Sequence, residues 1–259
     1  MAKGITAAVR EICLSFPEAV EVISHGMPDF RVGGKTFATY VINHHGDGRV
    51  ALWLNAPAGA QHQHVGSEPK QFFVPPYVGP RGWLGVNLDK GISWKVVARL
   101  VREAYEKVAP PRLAKAIGKT IDIRPPAEKM KPEEFDPMQS KRAREVLAKL
   151  RPICLTLPET SDGRQFGSPV WRAGKKVFAQ AWCHRGDGRL QLGFWVGIDQ
   201  QALLLRDRNF SIPPYMGHNG WIALDVSKSA NWKEIRSLAL FSYRHFALRR
   251  MLAALDSGN

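Results

Sequence analysis

The sequence predicts an α+β protein made of two tandem repeats, each an antiparallel β-sheet flanked by N- and C-terminal helices. Three observations carry that expectation. First, long motifs occur twice: FFVPPYVGPRGW at residues 72–83 returns as FSIPPYMGHNGW at 210–221, and ICLSFPE from Ile12 to Glu18 returns as ICLTLPE from Ile153 to Glu159. Second, the copies are far apart, 141 residues from Ile12 to Ile153 and 138 from Trp83 to Trp221. Stacked solenoid units repeat every ~20–50 residues, so these are whole domains. Third, helical periodicity brackets a series of short strand-like runs in each copy. Each copy, of about 110 residues, is long enough to bury a core of its own. The expected division is 1–110 for the first domain, 111–139 for a Pro-rich charged linker and 140–259 for the second domain.

Residues Ile5 to Leu14 place apolar side chains at 5, 8, 9, 12 and 13, a helical stripe that Pro17 stops. Asp29–Val32 and the β-former-rich Thr36–Ile42 flank a Gly33-Gly34 turn. Asp47-Gly48 signals a tight hairpin that returns the chain as Arg49–Leu54. A short helix fits the polar stretch 58–68. Phe72–Val74 is a brief strand closed by Pro75-Pro76, and Trp83–Leu88 alternates as the last strand. From Ser93, a plausible N-cap, to Val108 the period is helical again, with Val96, Val97, Leu100, Val101 and Ala104 on one stripe. The second copy repeats the order, with strands at Val177–Trp182 and Leu190–Trp195. Its first helix is expected to start early, near Ser140, and to kink or split at Pro152. Its last helix is expected to run unbroken from about Asn231 to Leu255. Between the copies, six prolines and mixed charge in 109–139 suit a linker without its own core.

The chain has 37 basic and 23 acidic residues, a net +14, and 44% hydrophobic residues. The charge is uneven: residues 1–108 carry 12 basic and 9 acidic, whereas 146–259 carry 16 and 8. Such a field attracts polyanions. No apolar run approaches the ~20 residues that cross a bilayer, so no membrane partner is expected. The N-terminus lacks the pattern of a signal peptide, and three cysteines, two at matching apolar positions (Cys13 and Cys154), fit buried thiols in a reducing cytoplasm.

The motifs Gly26-Met27-Pro28-Asp29-Phe30-Arg31-Val32-Gly33, Lys35-Thr36-Phe37-Ala38 and Pro75 through Trp83 together resemble the MmcQ/YjbR family. The second copy carries the same series at Gly167 to Gly174, Lys176-Val177-Phe178-Ala179 and Pro213 through Trp221. The resemblance covers both copies and not the linker. It implies a fold similar to the CyaY-like (bacterial frataxin) arrangement, also compared with a double-wing DNA-binding domain, and a DNA-binding role of the kind commonly assigned to members. It supplies no catalytic residues. The tandem arrangement departs from the single copy of most members.

The candidate contacts are basic residues at turns. Arg31 with Lys35, and Arg172 with Lys175 and Lys176, bracket a β-turn in each copy, and Arg49 and Arg189 follow the hairpin. Arg81 in one copy and His218 with Asn219 in the other occupy the Pro-Pro-Tyr loop, and Arg249 and Arg250 lie in the last helix. Projecting turns can bring such cations to phosphates; equally, charged turns keep a sheet edge soluble. Tyr77, Trp83, Tyr215 and Trp221 can stack on unpaired bases or pack a loop onto the core, and the tryptophans, which open alternating strands, favour the core. His44, His45, His62 and His64 lack any metal-site spacing, and the first helix offers too few carboxylates for iron, so no metal or cofactor is expected. Arg185-Gly186-Asp187 is a hairpin turn. Two alternatives stay open beside non-enzymatic DNA binding. One is a small-molecule protein or enzyme of unrecognised type with a pocket at the Pro-Pro-Tyr loop or between domains. The other is a structural pair whose repeats pack on each other.

Overall fold

The computed structural model describes residues 4–184 and 187–257, and the chain forms two compact units, Met1–Phe135 and Asp136–Asn259. The first unit runs α1 (Ile5–Leu14), β1 (Val20–Ser24), β2 (Met27–Val32), β3 (Lys35–Ile42), β4 (Val50–Leu54), α2 (Ala60–Ser67), β5 (Phe72–Phe73), β6 (Leu84–Asn87), α3 (Trp94–Val108) and α4 (Pro111–Lys115). The second runs α5 (Lys141–Leu155), β7 (Thr160–Gln165), β8 (Ser168–Ala173), β9 (Lys176–Cys183), β10 (Leu190–Trp195), α6 (Ile198–Leu204), β11 (Phe210–Ser211), β12 (Trp221–Asp225), α7 (Trp232–Phe246) and α8 (Arg249–Ser257). Each unit holds a six-stranded antiparallel sheet, ordered β1-β2-β3-β4-β6-β5 and β7-β8-β9-β10-β12-β11.

One face of each sheet carries the core. In the first unit Phe30, Leu52, Leu54 and Val86 pack with Val9 and Ile12 of α1 and with Val97, Val101 and Tyr105 of α3. In the second, Trp171, Leu192, Phe194 and Leu224 pack with Val146 and Leu150 of α5 and with Ile235, Ala239 and Tyr243 of α7. The period-2 alternation of the strands leaves the intervening residues on the other face, called the open face below. Two ties repeat between the units. The Tyr105 hydroxyl donates to the Pro17 carbonyl at 2.7 Å, as Tyr243 does to Pro158 at 2.8 Å. Arg112 on α4 forks onto Glu18, as Arg250 on α8 forks onto Glu159. Both glutamates have positive φ, near 53° and 51°, at the sharp turn into the first strand.

Several elements depart from the sequence reading. The expected single C-terminal helix is two: Ala247 turns extended (φ −68°, ψ 143°), matching Ala109 (φ −66°, ψ 141°), so α7 and α8 repeat the α3–α4 break. Conversely, α5 passes through Pro152 without splitting; it starts five residues ahead of its counterpart, with the Ser140 hydroxyl accepting from the Ala143 N–H. Ser93 stands at the N-cap of α3 but its side chain makes no capping bond. The β3–β4 connection is no two-residue hairpin: residues 43–49 intervene, with a 3₁₀ turn at His44–Gly46. Arg185 and Gly186 of the second hairpin lie outside the described residues. Strands β1 and β7 were not expected. The segment read as a linker lends side chains to both cores: Leu113 and Ile123 are buried in the first unit, where Glu128 also accepts the Ile5 N–H at 2.8 Å, and Met138 is buried in the second.

Candidate functional site

Strand register sorts the candidate cations by the end of the sheet they occupy. In the second unit Thr160 pairs with Ala173, Ala173 with Lys176, and Trp195 with Trp221. One end of the sheet therefore gathers the Gly174-Lys175 turn, the loop leading into Trp221 and, through the Tyr243–Pro158 bond, the C-terminal end of α7. Lys175, Lys176, His218, Arg249 and Arg250 all fall there, and Arg172 lies one residue into β8. Arg189 lies at the opposite end, after the hairpin, and is engaged by Asp187 at 2.6 Å and Asp225 at 3.5 Å. The first unit repeats the layout, with Arg31, Lys35 and Arg81 toward one end and Arg49 at the other, over the Phe73 ring at 4.2 Å.

Availability divides them further. Arg31 is held by Asp29 at 2.9 Å, Arg49 faces Asp47 at 3.8 Å, and Arg250 is bound to Glu159. The Glu159 carboxyl lies below its ordinary value chiefly because Arg250 donates to it, and Glu18 is lowered by Arg112 for the same reason. Arg250 is thus the counterpart of a structural tie. Among the described residues, Lys35, Arg81, Arg172, Lys175, Lys176 and Arg249 have no carboxylate within ion-pair distance, and all but Arg172 are exposed. The units themselves differ: 136–259 has 19 basic and 10 acidic residues, net +9, and 1–135 has 18 and 13, net +5.

The Pro-Pro-Tyr loop is held the same way twice. Gln61 on α2 donates to the Gly79 carbonyl (2.8 Å) and the Trp83 carbonyl (2.6 Å). Gln201 on α6 donates to Gly217 (2.9 Å) and Trp221 (2.7 Å), and is buried. The tyrosine in each loop adopts a left-handed backbone, φ 64° at Tyr77 and 65° at Tyr215, and both are exposed. Trp221 is buried and Trp83 half-buried, on the core side of the alternatives. In the first unit the space between loop and open face is filled by Val41, Ala51, Trp53 and Phe73, with Met27, Val78 and Trp83 against them. Two clefts, of about 330 and 470 Å³, lie elsewhere, beside Arg151 and Trp171 and beside Trp94 and Arg124, and contain none of the candidate contacts.

Three features escaped the sequence reading: the glutamine clamp, the Asp29 counter-charge, and a stack of His245 on Trp195 with ring centroids 3.4 Å apart. The stack replaces a polar contact, since the matching first-unit residues are Lys107 and Asn55, bonded at 2.8 Å. Burial lowers the His245 pKa from its usual value. It raises those of Cys13 and Cys154, which fits them as packing residues and not nucleophiles. No group of three or more metal-ligating side chains occurs among the described residues, and no helix is long and apolar enough to cross a membrane.

These features define a protein of two tandem α+β domains, each a six-stranded antiparallel sheet with its helices on one face and a clamped Pro-Pro-Tyr loop. The chain belongs to the YjbR family, whose family model matches it twice, at residues 14–107 and 155–245. Among solved structures it is similar to Deinococcus radiodurans protein DR2400, described with a DUF419 domain, at 16% identity and a TM-score of 0.38, over 45% of this chain and 91% of that one. No curated protein matches it.

Proposed function

We propose that this protein binds nucleic acid without catalysing a reaction on it, and that the second unit makes the main contact with the phosphate backbone. The observation that carries this reading is the grouping at one end of the second sheet of Lys175, Lys176 and Arg249, exposed and without carboxylate partners among the described residues, with His218 in the adjoining loop. Backbone contacts of this kind position a nucleic acid and confer little sequence preference. Lys35 and Arg81 supply a weaker version in the first unit, while Arg31, Arg49, Arg189 and Arg250 are mainly spent on internal pairs.

Titration of a fluorescein-labelled duplex at several salt concentrations tests the reading. Affinity falls steeply as salt rises, and the double substitution Lys175→Glu, Lys176→Glu flattens the log–log slope by about 2. Absence of any anisotropy change at low salt, with this duplex and with a labelled single strand alike, would overturn it.

A further inference from the structure

The open faces of the two sheets differ in what they leave unoccupied. In the first unit the Asp29 carboxylate accepts from Thr39 (2.6 Å) and from the Arg31 guanidinium (2.9 Å), so the arginine is neutralised by its own strand. The second unit keeps the arginine, Arg172, but replaces the acid with Val170 and the threonine with Gln180. Among the described residues Arg172, half-buried, reaches only the Gln165 side-chain carbonyl at 3.4 Å, and its guanidinium passes over Gly163, where a Cβ would stand 3.1 Å from it.

The aromatic residues change in the same direction. The Tyr77 hydroxyl is bonded to His45 at 2.9 Å, with the His44 ring also against it. The second hairpin is one residue shorter, six residues between Cys183 and Leu190 against seven between Ile42 and Val50. Tyr215 is 87% exposed, against 61% for Tyr77, and its hydroxyl has no partner among the described residues. The indole that fills the first open face from β4, Trp53, is absent from β10, where Gly193 stands; Trp182 on β9 lies over that glycine instead and is half-buried where Trp53 is buried. These groups follow one another across the open face: Gly163, under the Arg172 guanidinium, and Gln180 pair with Val170 from its two sides, and the Gln180 amide bonds Met216, next to Tyr215.

We infer that the open face of the second unit is a binding site for a segment of single-stranded nucleic acid, a phosphate on the Arg172 guanidinium, which lacks the acid that Arg31 has beside it, and a base against the Tyr215 ring on the side of Trp182. The charge complementarity is that of Arg31 with Asp29, with the anion supplied from outside; a guanidinium suits a phosphate as well as a carboxylate. An unpaired base is required because a base within a duplex has its faces already stacked. The clamp from Gln201 presents Tyr215 on a fixed loop, which limits the ordering cost of binding. This inference rests on the nucleic-acid reading above and adds the strand state and the recognised unit.

The test uses the full chain and two probes, a labelled oligothymidylate of about 15 nucleotides, long enough to track one domain, and a duplex of equal length. Tyr215→Ala, at an exposed position, weakens the single strand about tenfold and leaves the duplex unchanged. Arg172→Leu weakens the single strand to a similar degree, and Val170→Asp, which restores the pairing of the first unit, does the same with circular dichroism unchanged. Free thymidine monophosphate competes only at far higher concentration than unlabelled oligothymidylate. Unchanged single-strand affinity in both Tyr215→Ala and Arg172→Leu, with the Lys175/Lys176 substitution still weakening it, overturns this inference and spares the polyanion reading. Equal competition by the mononucleotide overturns the single-strand assignment, and binding of neither probe by the unaltered protein overturns both readings.

Discussion

In the first unit Asp29 faces Arg31, His45 holds Tyr77, and Lys107 bonds Asn55; at the matching places the second unit has Val170 beside Arg172, an exposed Tyr215, and His245 stacked on Trp195. Other ties are unchanged: Tyr105 and Tyr243 reach a proline carbonyl, Arg112 and Arg250 reach a glutamate, and Gln61 and Gln201 clamp the loop. The unchanged pairs bind helix to strand or loop to helix, and each satisfies buried backbone or fixes a turn. The changed pairs lie on the open face or at the sheet end. A duplicated domain thus contains its own control, because two solutions to one scaffold show which contacts the fold requires.

The comparison breaks most visibly at the clamp. Gln201→Leu leaves two backbone carbonyls without their donor and is expected to cost its unit about 3 kcal/mol, read as a lower urea midpoint. Gln61→Leu costs less, about 2 kcal/mol, since Gln61 is half-buried and water can reach its acceptors. Next in size is Asp29→Val, which leaves Arg31 without an acid beside it, as Arg172 is in the second unit. It strips Thr39 and Arg31 of their acceptor and is expected to lower the first unit's stability by about 2 kcal/mol while raising affinity for the single-stranded probe.

Smaller effects follow pH. His245 has a lowered folded pKa, so the folded chain binds fewer protons than the unfolded chain between that value and the usual 6.5. Stability on this account is full above 6.5 and falls as pH drops toward the folded value, because the desolvated ring resists protonation. A melting-temperature series across this window should show the loss, and His245→Lys, which installs the first-unit residue, should remove it. Least of all, Arg112→Ala and Arg250→Ala should give matched small losses at neutral pH. Because Arg112 and Arg250 lower the folded pKa values of Glu18 and Glu159, each pair's contribution is present above the usual 4.5 and lost as pH falls through the folded value. Unequal losses would show that the two ties are not equivalent.

The helices and inner strands were legible because their apolar spacing is regular: α1 has the bounds its stripe implies, and β3 and β9 stand where β-formers cluster. Strand β7 was not, since Thr-Ser-Asp-Gly-Arg-Gln has no apolar alternation; it is an edge strand paired on one side and held by backbone bonds and polar side-chain contacts such as Arg151–Asp162. The α7–α8 break carries no proline or glycine at Ala247-Leu248, whereas Pro110-Pro111 marks it in the first copy, so alignment of the copies was the available signal. Pro152 misled because it and Ala148, whose carbonyl loses its helical donor, are exposed, so water can reach that carbonyl. For the site, basic turns were visible as residue types, but their pairing was not. Asp29 opposite Val170 can be read from the aligned copies; the glutamine clamp lies in polar segments with no periodic signal.

The left-handed backbone at Tyr215 has a further consequence. A non-glycine residue in that conformation is disfavoured by about 1 kcal/mol, and glycine would relieve the strain. Tyr215→Gly would therefore be neutral or favourable for thermal endurance while removing the exposed ring. A library of variants screened for heat resistance alone should lose the aromatic here, and one screened for retention on immobilised oligothymidylate should keep it, so the two selections pull the same codon in opposite directions.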